Sequence, residues 1–277
     1  MINNYIKKID FYSHFEKWYF KILKTFKFDP QKDTKAAKVL SNILIEKGES
    51  WDLVQVLNSF ENYIHSKNNL FIYGCGPSLE RTVKKLKEIL GEKVSKLAIN
   101  LAADGASKCL DENGIPIDAI FTDLDGISKG EFFKSKYIIV HAHGDNIEKI
   151  INFKDPIIKF DNIIGTVQVN SSGPTINPGG FTDGDRILFF LRSMLLPEHK
   201  IFLIGMDFKN KVGKYSKPYL QKSQKATKIK QKKLEIALKL LKWFQTLIDN
   251  EIFLINSNLK LKNFKNVSIE ELSNLLL

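Results

Sequence analysis

Residues 69–80 read Asn-Leu-Phe-Ile-Tyr-Gly-Cys-Gly-Pro-Ser-Leu-Glu: an apolar run, a glycine turn and the start of a helical pattern that continues to Leu90. Beyond this point short apolar runs alternate with helical stretches. That alternation marks parallel strands joined by crossover helices, because parallel neighbours need a long return connection. Strands are predicted at 70–73, 96–101, 119–121, 137–141, 157–160, 200–204 and 252–255. Helices are predicted at 78–90, 105–113, 147–153, 182–195 and 226–248, with a short last one from Ser268. The expected fold is α/β, a doubly wound, mostly parallel, Rossmann-like sheet over residues 68–277.

Residues 1–67 form an expected helical N-terminal region. Phe11, Phe15, Trp18, Tyr19 and Ile22 recur at helical spacing, as do Trp51, Val54, Leu57, Phe60 and Ile64. Phe28-Asp29-Pro30 interrupts the pattern, and Asp33-Thr34 reads as a cap for a helix over 36–47. No motif in this region points to chemistry.

With 43% hydrophobic residues and 20 Phe among 277, the chain can bury a large core. Its apolar runs, such as 201–204, fall far short of the roughly 20 residues a spanning helix needs. The N-terminus lacks the pattern of a signal peptide, so a cytoplasmic location is expected and a membrane partner is not. Cys75 and Cys109 are too few for a disulfide framework or a cysteine zinc site and are expected to be reduced. The charge of +11 is concentrated between Lys209 and Lys233, where ten lysines occur without an acid. Such a block suits nucleic acid, an anionic surface or a polyphosphate, and equally a solvated face. Tyr215 and Tyr219 are its only aromatics and it has no arginine, so nucleic acid is not the expected partner.

Ligands of a doubly wound sheet bind at the carboxyl ends of its strands. Thr122-Asp123-Leu124-Asp125 follows one strand, and period-two alternation would put both carboxylates on one face, where Mg²⁺ could relieve their repulsion. A polar turn is the plainer alternative. The turn at Gly74, Gly76, Pro77 and Ser78 opens a helix whose N–H groups would suit a phosphate. Asn100 with Asp104, His141 with Asp145, Gly180-Phe181-Thr182-Asp183-Gly184-Asp185 and Gly205-Met206-Asp207 fall at further strand ends or helix starts. Helix capping competes for Asp145, Asp183 and Asp185.

The series GCGPSLE (74–80), AADGA (102–106), IDAIFTDLDG (117–126), HAHGDN (141–146), GGFTDGDR (179–186) and GMDF (205–208) resembles the archaeal 6-hydroxymethyl-7,8-dihydropterin pyrophosphokinases, the MptE-like family, over residues 68–257. The Asp-Gly and Asp-x-Asp arrangement is also similar to thiamine pyrophosphokinase, although GGFTDGDR departs from the Asp-Lys-Thr-Asp pattern expected there. The resemblance implies transfer of diphosphate from ATP to a pterin hydroxymethyl group, with AMP leaving. It implies Mg²⁺ at Asp123 and Asp125, with Asp104 nearby and Asp183, Asp185 or Asp145 as base. By charge and position, Lys211 and Lys214 are expected to close over the nucleotide held at Gly74, Gly76, Pro77 and Ser78. Asn100, His141, Asp145, Gly180, Thr182 and Asp207 are the implied substrate contacts, with Gln168 or Asn170 at the pterin's polar edge and Phe181 or Phe208 on its face. The partners expected are ATP and a pterin alcohol; homo-oligomerisation stays open. Related chains that serve glycan modification would instead use a nucleotide sugar.

Overall fold

The computed structural model describes residues 2–276. Four helices come first: α1 (Ile2–Ile9), α2 (Tyr12–Phe26), α3 (Pro30–Ile45) and α4 (Leu53–Ile64). The α/β portion then runs β1 (Asn69–Tyr73), α5 (Leu79–Leu90), α6 (Lys93–Leu97), β2 (Ala98–Ala103), α7 (Ala106–Glu112), β3 (Ile117–Thr122), α8 (Lys129–Phe132) and β4 (Ser135–Ala142). Next come α9 (Ile147–Asn152), α10 (Lys154–Lys159), β5 (Ile163–Val167), β6 (Thr175–Ile176), α11 (Asp183–Leu191), β7 (Lys200–Ile204) and a two-strand hairpin, β8 (Lys211–Val212) with β9 (Gln224–Lys225). The chain closes with α12 (Lys228–Phe244), β10 (Ile252–Ile255), β11 (Phe264–Val267) and α13 (Ile269–Leu276).

Nine strands form one sheet in the order β11-β10-β7-β1-β2-β3-β4-β5-β6, every pair parallel. Side chains alternate along each strand, and this divides the core in two. Leu70, Ile72, Ile99, Leu101, Phe121 and Leu203 face α2, α4, α11 and α12. Phe71, Tyr73, Ala102, Ile120, Val140 and Ile204 face α3, α5, α7 and α13. Burial on both faces explains why β2 and β3 are apolar almost throughout. The doubly wound expectation holds, and the N-terminal helices are part of it. α2 lies on one face and α3 on the other, so the chain crosses the sheet edge between them.

Several element boundaries differ from the sequence reading. Residues 157–160 fall largely in α10, and the strand follows at 163–167. Pro156 is tolerated in a first helical turn, and Lys47 Nζ donates to the carbonyls of Ile157, Ile158 and Phe160 at 3.3, 2.7 and 2.9 Å, which satisfies the end of that helix. β2 begins at Ala98 and runs through Ala103, which puts Asn100 in mid-strand. The short strands β6, β8, β9 and β11 were too brief to leave a periodic signal. Asp29, not Asp33, caps α3: its Oδ1 accepts from Gln31 N, with Pro30 in the first helical position. No helix among the described residues is long and apolar enough to cross a membrane.

Phe60 of α4 is fully buried, with its ring 5.0 Å from Tyr137, 5.6 Å from Phe190 and 6.5 Å from Phe121. Phe60→Ala should therefore cost about 3–5 kcal/mol, read from the shift in a urea unfolding midpoint.

Candidate active site

The sheet order departs from β1 in both directions, β2 on one side and β7 on the other, which opens a crevice beyond their carboxyl ends. The turn after β1 closes tightly on the turn after β7. Gly74 N donates to Ile204 O at 2.8 Å and Gly76 N to Gly205 O at 2.7 Å, and a Cβ on Gly76 would lie 2.4 Å from that Gly205 oxygen. Ser78 N and Oγ both donate to Asp207 Oδ2 at 2.9 Å. These donors are spent within the protein, which corrects the expectation that the Gly74–Ser78 turn offers them to a phosphate. Asp207 Oδ2 thereby caps the start of α5.

Three acids do converge. Asp104 after β2, Asp123 after β3 and Asp183 at the start of α11 bring one carboxylate oxygen each within 4.8 Å of the others. Asp104 Oδ1 accepts from Thr122 Oγ1 at 2.7 Å and Gly126 N at 3.0 Å. Asp123 Oδ2 lies 3.4 Å from His143 Nε2, and its backbone oxygen accepts from Asn146 Nδ2 at 2.9 Å. Asp125 stands apart. β3 ends at Thr122 and Leu124 is left-handed at φ 67°, so the alternation that would align the two carboxylates stops first. Asp125 N donates to Asp123 Oδ1 at 3.1 Å, while its carboxylate pairs with Lys149 and Lys217.

Burial, then the charge of Asp123, pushes Asp104 up to about 6. Burial, then Asp123 and Asp104, raises Asp183 well above the carboxylate range. Burial also opposes ionisation of Asp123, but the hydrogen bond to His143 and the charges of His143, Lys217 and Arg186 hold it below the ordinary value. A set of hard carboxylate oxygens that resists full ionisation without added positive charge fits Mg²⁺.

Two cavities meet at this cluster. The larger, about 290 Å³, is lined by Gly74, Gly76, Asp104, Phe208, Lys211 and Lys217. The smaller, about 220 Å³, is lined by Tyr19, Phe28, Asp33, Gln168, Phe181 and Arg186. Asp123, His143, Asp145, Thr182, Asp183, Lys230 and Lys233 line both. The N-terminal helices, without chemistry in the sequence reading, thus supply one wall of the smaller cavity. Asp33 fastens that wall, accepting from Tyr19 Oη at 2.9 Å and from Gly144 N at 2.7 Å.

Other expected site residues have structural employment. Asp185 accepts from Phe181 N, Thr182 N and Thr182 Oγ1, a capping box that holds the start of α11 and leaves it no part as a base. Thr182 is the other half of that box and still reaches both cavities. Gly180, at φ 90°, lets the turn pass Arg186, whose Cα would lie 2.7 Å from an added Cβ. Pro77 continues the turn before Ser78, and Asn170 is exposed. Asn100 is interior: its Oδ1 accepts from Tyr73 Oη at 2.9 Å and its N donates to Asp118 Oδ2 at 2.7 Å. Lys214 turns to Glu80 at 3.4 Å rather than joining Lys211. His141 is buried, with Thr166 Oγ1 3.0 Å from Nδ1 and Gln168 Oε1 3.1 Å from Nε2; desolvation and Arg186 keep it neutral.

Lys149, Arg186, Lys217, Lys230 and Lys233 are site residues the sequence reading passed over. The lysines at 217, 230 and 233 were visible in the basic block, and Arg186 sat inside a quoted motif. Nothing in the sequence ranked them.

A family model described as 6-hydroxymethylpterin diphosphokinase MptE-like matches residues 45–213. The chain belongs to this family. It is accordingly an enzyme, a diphosphotransferase. Curated relatives named 6-hydroxymethyl-7,8-dihydropterin pyrophosphokinase include that of Pyrococcus furiosus, 36% identical across 83% of this chain and 94% of the relative. That of Methanocaldococcus jannaschii is 37% identical across 85% and 96%, and that of Methanothermobacter thermautotrophicus 34% across 83% and 93%. Among solved structures, the Maf glycosyltransferase of Magnetospirillum magneticum AMB-1 covers 73% of this chain and 34% of its own at 12% identity, with a TM-score of 0.41. The match of the MptE-like family begins at residue 45 and so takes in α4, ahead of the start expected from the motifs.

Without metal, Asp104 retains its proton in the folded state above the pH at which the unfolded chain has lost it. The contribution of Asp104 to the stability of metal-free protein should therefore fall as pH rises from about 4, the unfolded value, to about 6. Urea midpoints in chelator should show Asp104→Asn gaining on the wild type across that range.

Proposed function

We propose that this protein transfers the terminal diphosphate of Mg-ATP to the hydroxymethyl group of 6-hydroxymethyl-7,8-dihydropterin and releases AMP. The observation that carries this reading is the position of the Asp104, Asp123 and Asp183 cluster at the junction of two unlike cavities. Lys211, Lys217, Lys230 and Lys233 on the larger suit the nucleotide phosphates. Phe28 and Phe181, with Gln168 and Arg186 beside them, suit a flat ring with a polar edge in the smaller. A reaction that joins two substrates needs such a junction, because reacting atoms held in contact spare most of the entropy cost of meeting.

In this reading Asp123, Asp104 and Asp183 hold Mg²⁺, which would supply charge neutralisation at the phosphate oxygens. Lys230 and Lys233, on both cavities, face the diphosphate as it passes from one to the other. The pterin hydroxyl oxygen bonds to the β-phosphorus as the bond from that phosphorus to the α–β bridging oxygen breaks, and AMP leaves with the bridging oxygen. Asp145, exposed at the shared wall, is placed to accept the hydroxyl proton. Lys217, paired with Asp125 and lining the larger cavity, draws the basic segment over the phosphates and keeps water from them.

Incubation with Mg-ATP and either 6-hydroxymethyl-7,8-dihydropterin or thiamine tests this directly. AMP and pterin diphosphate are expected. AMP with neither acceptor would overturn the reading, and ADP would mark a simple kinase. Asp123→Asn should lower kcat by roughly 100-fold or more, the scale of lost electrostatic stabilisation at a reacting centre. Asp125→Asn should cost markedly less, because its carboxylate serves two lysines.

A further inference from the structure

Arg186 can only donate hydrogen bonds, and this orders its neighbours. It is buried, with Nη2 2.8 Å from Gln168 Oε1 and 2.8 Å from the Phe181 carbonyl, and Nη1 2.9 Å from His141 Nδ1. An amide nitrogen in place of that Gln168 oxygen would set donor against donor, so the atom beside Arg186 is the oxygen. By the same reasoning His141 Nδ1 accepts. The single proton of this neutral ring is then on Nε2, which donates to the same Gln168 Oε1 at 3.1 Å. Both hydrogen bonds to the amide fall on its oxygen. What remains to meet a ligand is the NH₂ group, on a residue that lines the smaller cavity.

We propose that the Gln168 amide NH₂ is the specificity-determining donor of the acceptor site and hydrogen-bonds the ring carbonyl of an oxopterin; this rests on the function proposed above. Phe181 and Phe28 offer apolar faces that accept any flat heterocycle of the right size. They cannot tell a ring carbonyl from a ring amino group. A donor with fixed orientation can, because an amino group in the carbonyl's place leaves two donors facing each other and neither satisfied. Fixity is what Arg186 and His141 contribute. A free glutamine would rotate its amide to suit either ligand, whereas here rotation would bring NH₂ against the guanidinium. Arg186 and His141 are on this view positioning residues, and Gln168 is the group that touches substrate.

Gln168→Glu is the deciding variant. It keeps one oxygen for Arg186 and His141 and converts the other half of the side chain from donor to acceptor. kcat/KM is measured with Mg-ATP for 6-hydroxymethyl-7,8-dihydropterin and for its analogue with the ring carbonyl replaced by an amino group. The wild type should prefer the oxo form. In the variant kcat/KM for the oxo form should fall by roughly 10- to 100-fold and that for the amino form should rise, with KM for ATP unmoved. An unchanged ratio, whether both acceptors stay active or both fail together, would overturn the assignment and leave the proposed function standing. Transfer to neither acceptor by the wild type would overturn the proposed function and this assignment with it.

Discussion

Mutual repulsion among Asp104, Asp123 and Asp183 is the constraint around which the carboxyl end of the sheet is organised. Three carboxylates this close cannot all be ionised unless positive charge is brought to them. The chain brings it from every side. His143 comes from the turn after β4, Arg186 from α11, Lys149 from α9, Lys217 from the segment after β8, and Lys230 and Lys233 from α12. The basic block that dominates the charge of the sequence is thus answered locally, by acids scattered over residues 104–183 of the chain. Its concentration after β7 follows from the topology, because β7 adjoins β1 at the point where the strand order reverses.

The central fold was legible in the sequence because strands buried on both faces must be apolar and must be separated by helix-length connections. β1, β3, β4, β7 and β10 announced themselves in this way. Where the signal failed, a specific contact outweighed local pattern. Residues 157–160 look like a strand until Lys47, more than a hundred residues earlier, is seen to satisfy the carbonyls that end a helix there. The site divides similarly. Asp104, Asp123 and Asp183 were readable as strand-end or helix-start acids, and the family motifs grouped them. Asp125, Asp185 and Asp207 carry the same chemistry in equivalent-looking positions, yet one meets lysines and two cap helices. Sequence cannot separate a carboxylate aimed into a cavity from one aimed at a backbone N–H.

The smaller cavity was the least legible part, for a physical reason. Its wall comes from Tyr19, Phe28 and Asp33, which read as ordinary apolar, turn and capping residues of a helical region. Only the three-dimensional crossing of the sheet edge between α2 and α3 places them opposite Phe181 and Arg186. The family model's match begins after them, at residue 45, and takes in Asp104, Asp123 and Asp183.

That crossing also bears on how the molecule assembles. α2 precedes the sheet in sequence, but Phe15 packs on Phe189 and Trp243, which follow most of its strands. Contacts so distant in sequence form late, since the loop between them must close before they return any stabilisation. The wall of the smaller cavity is therefore complete only once α11 and α12 are in place, so a fault in either helix reaches the acceptor side as well as the core.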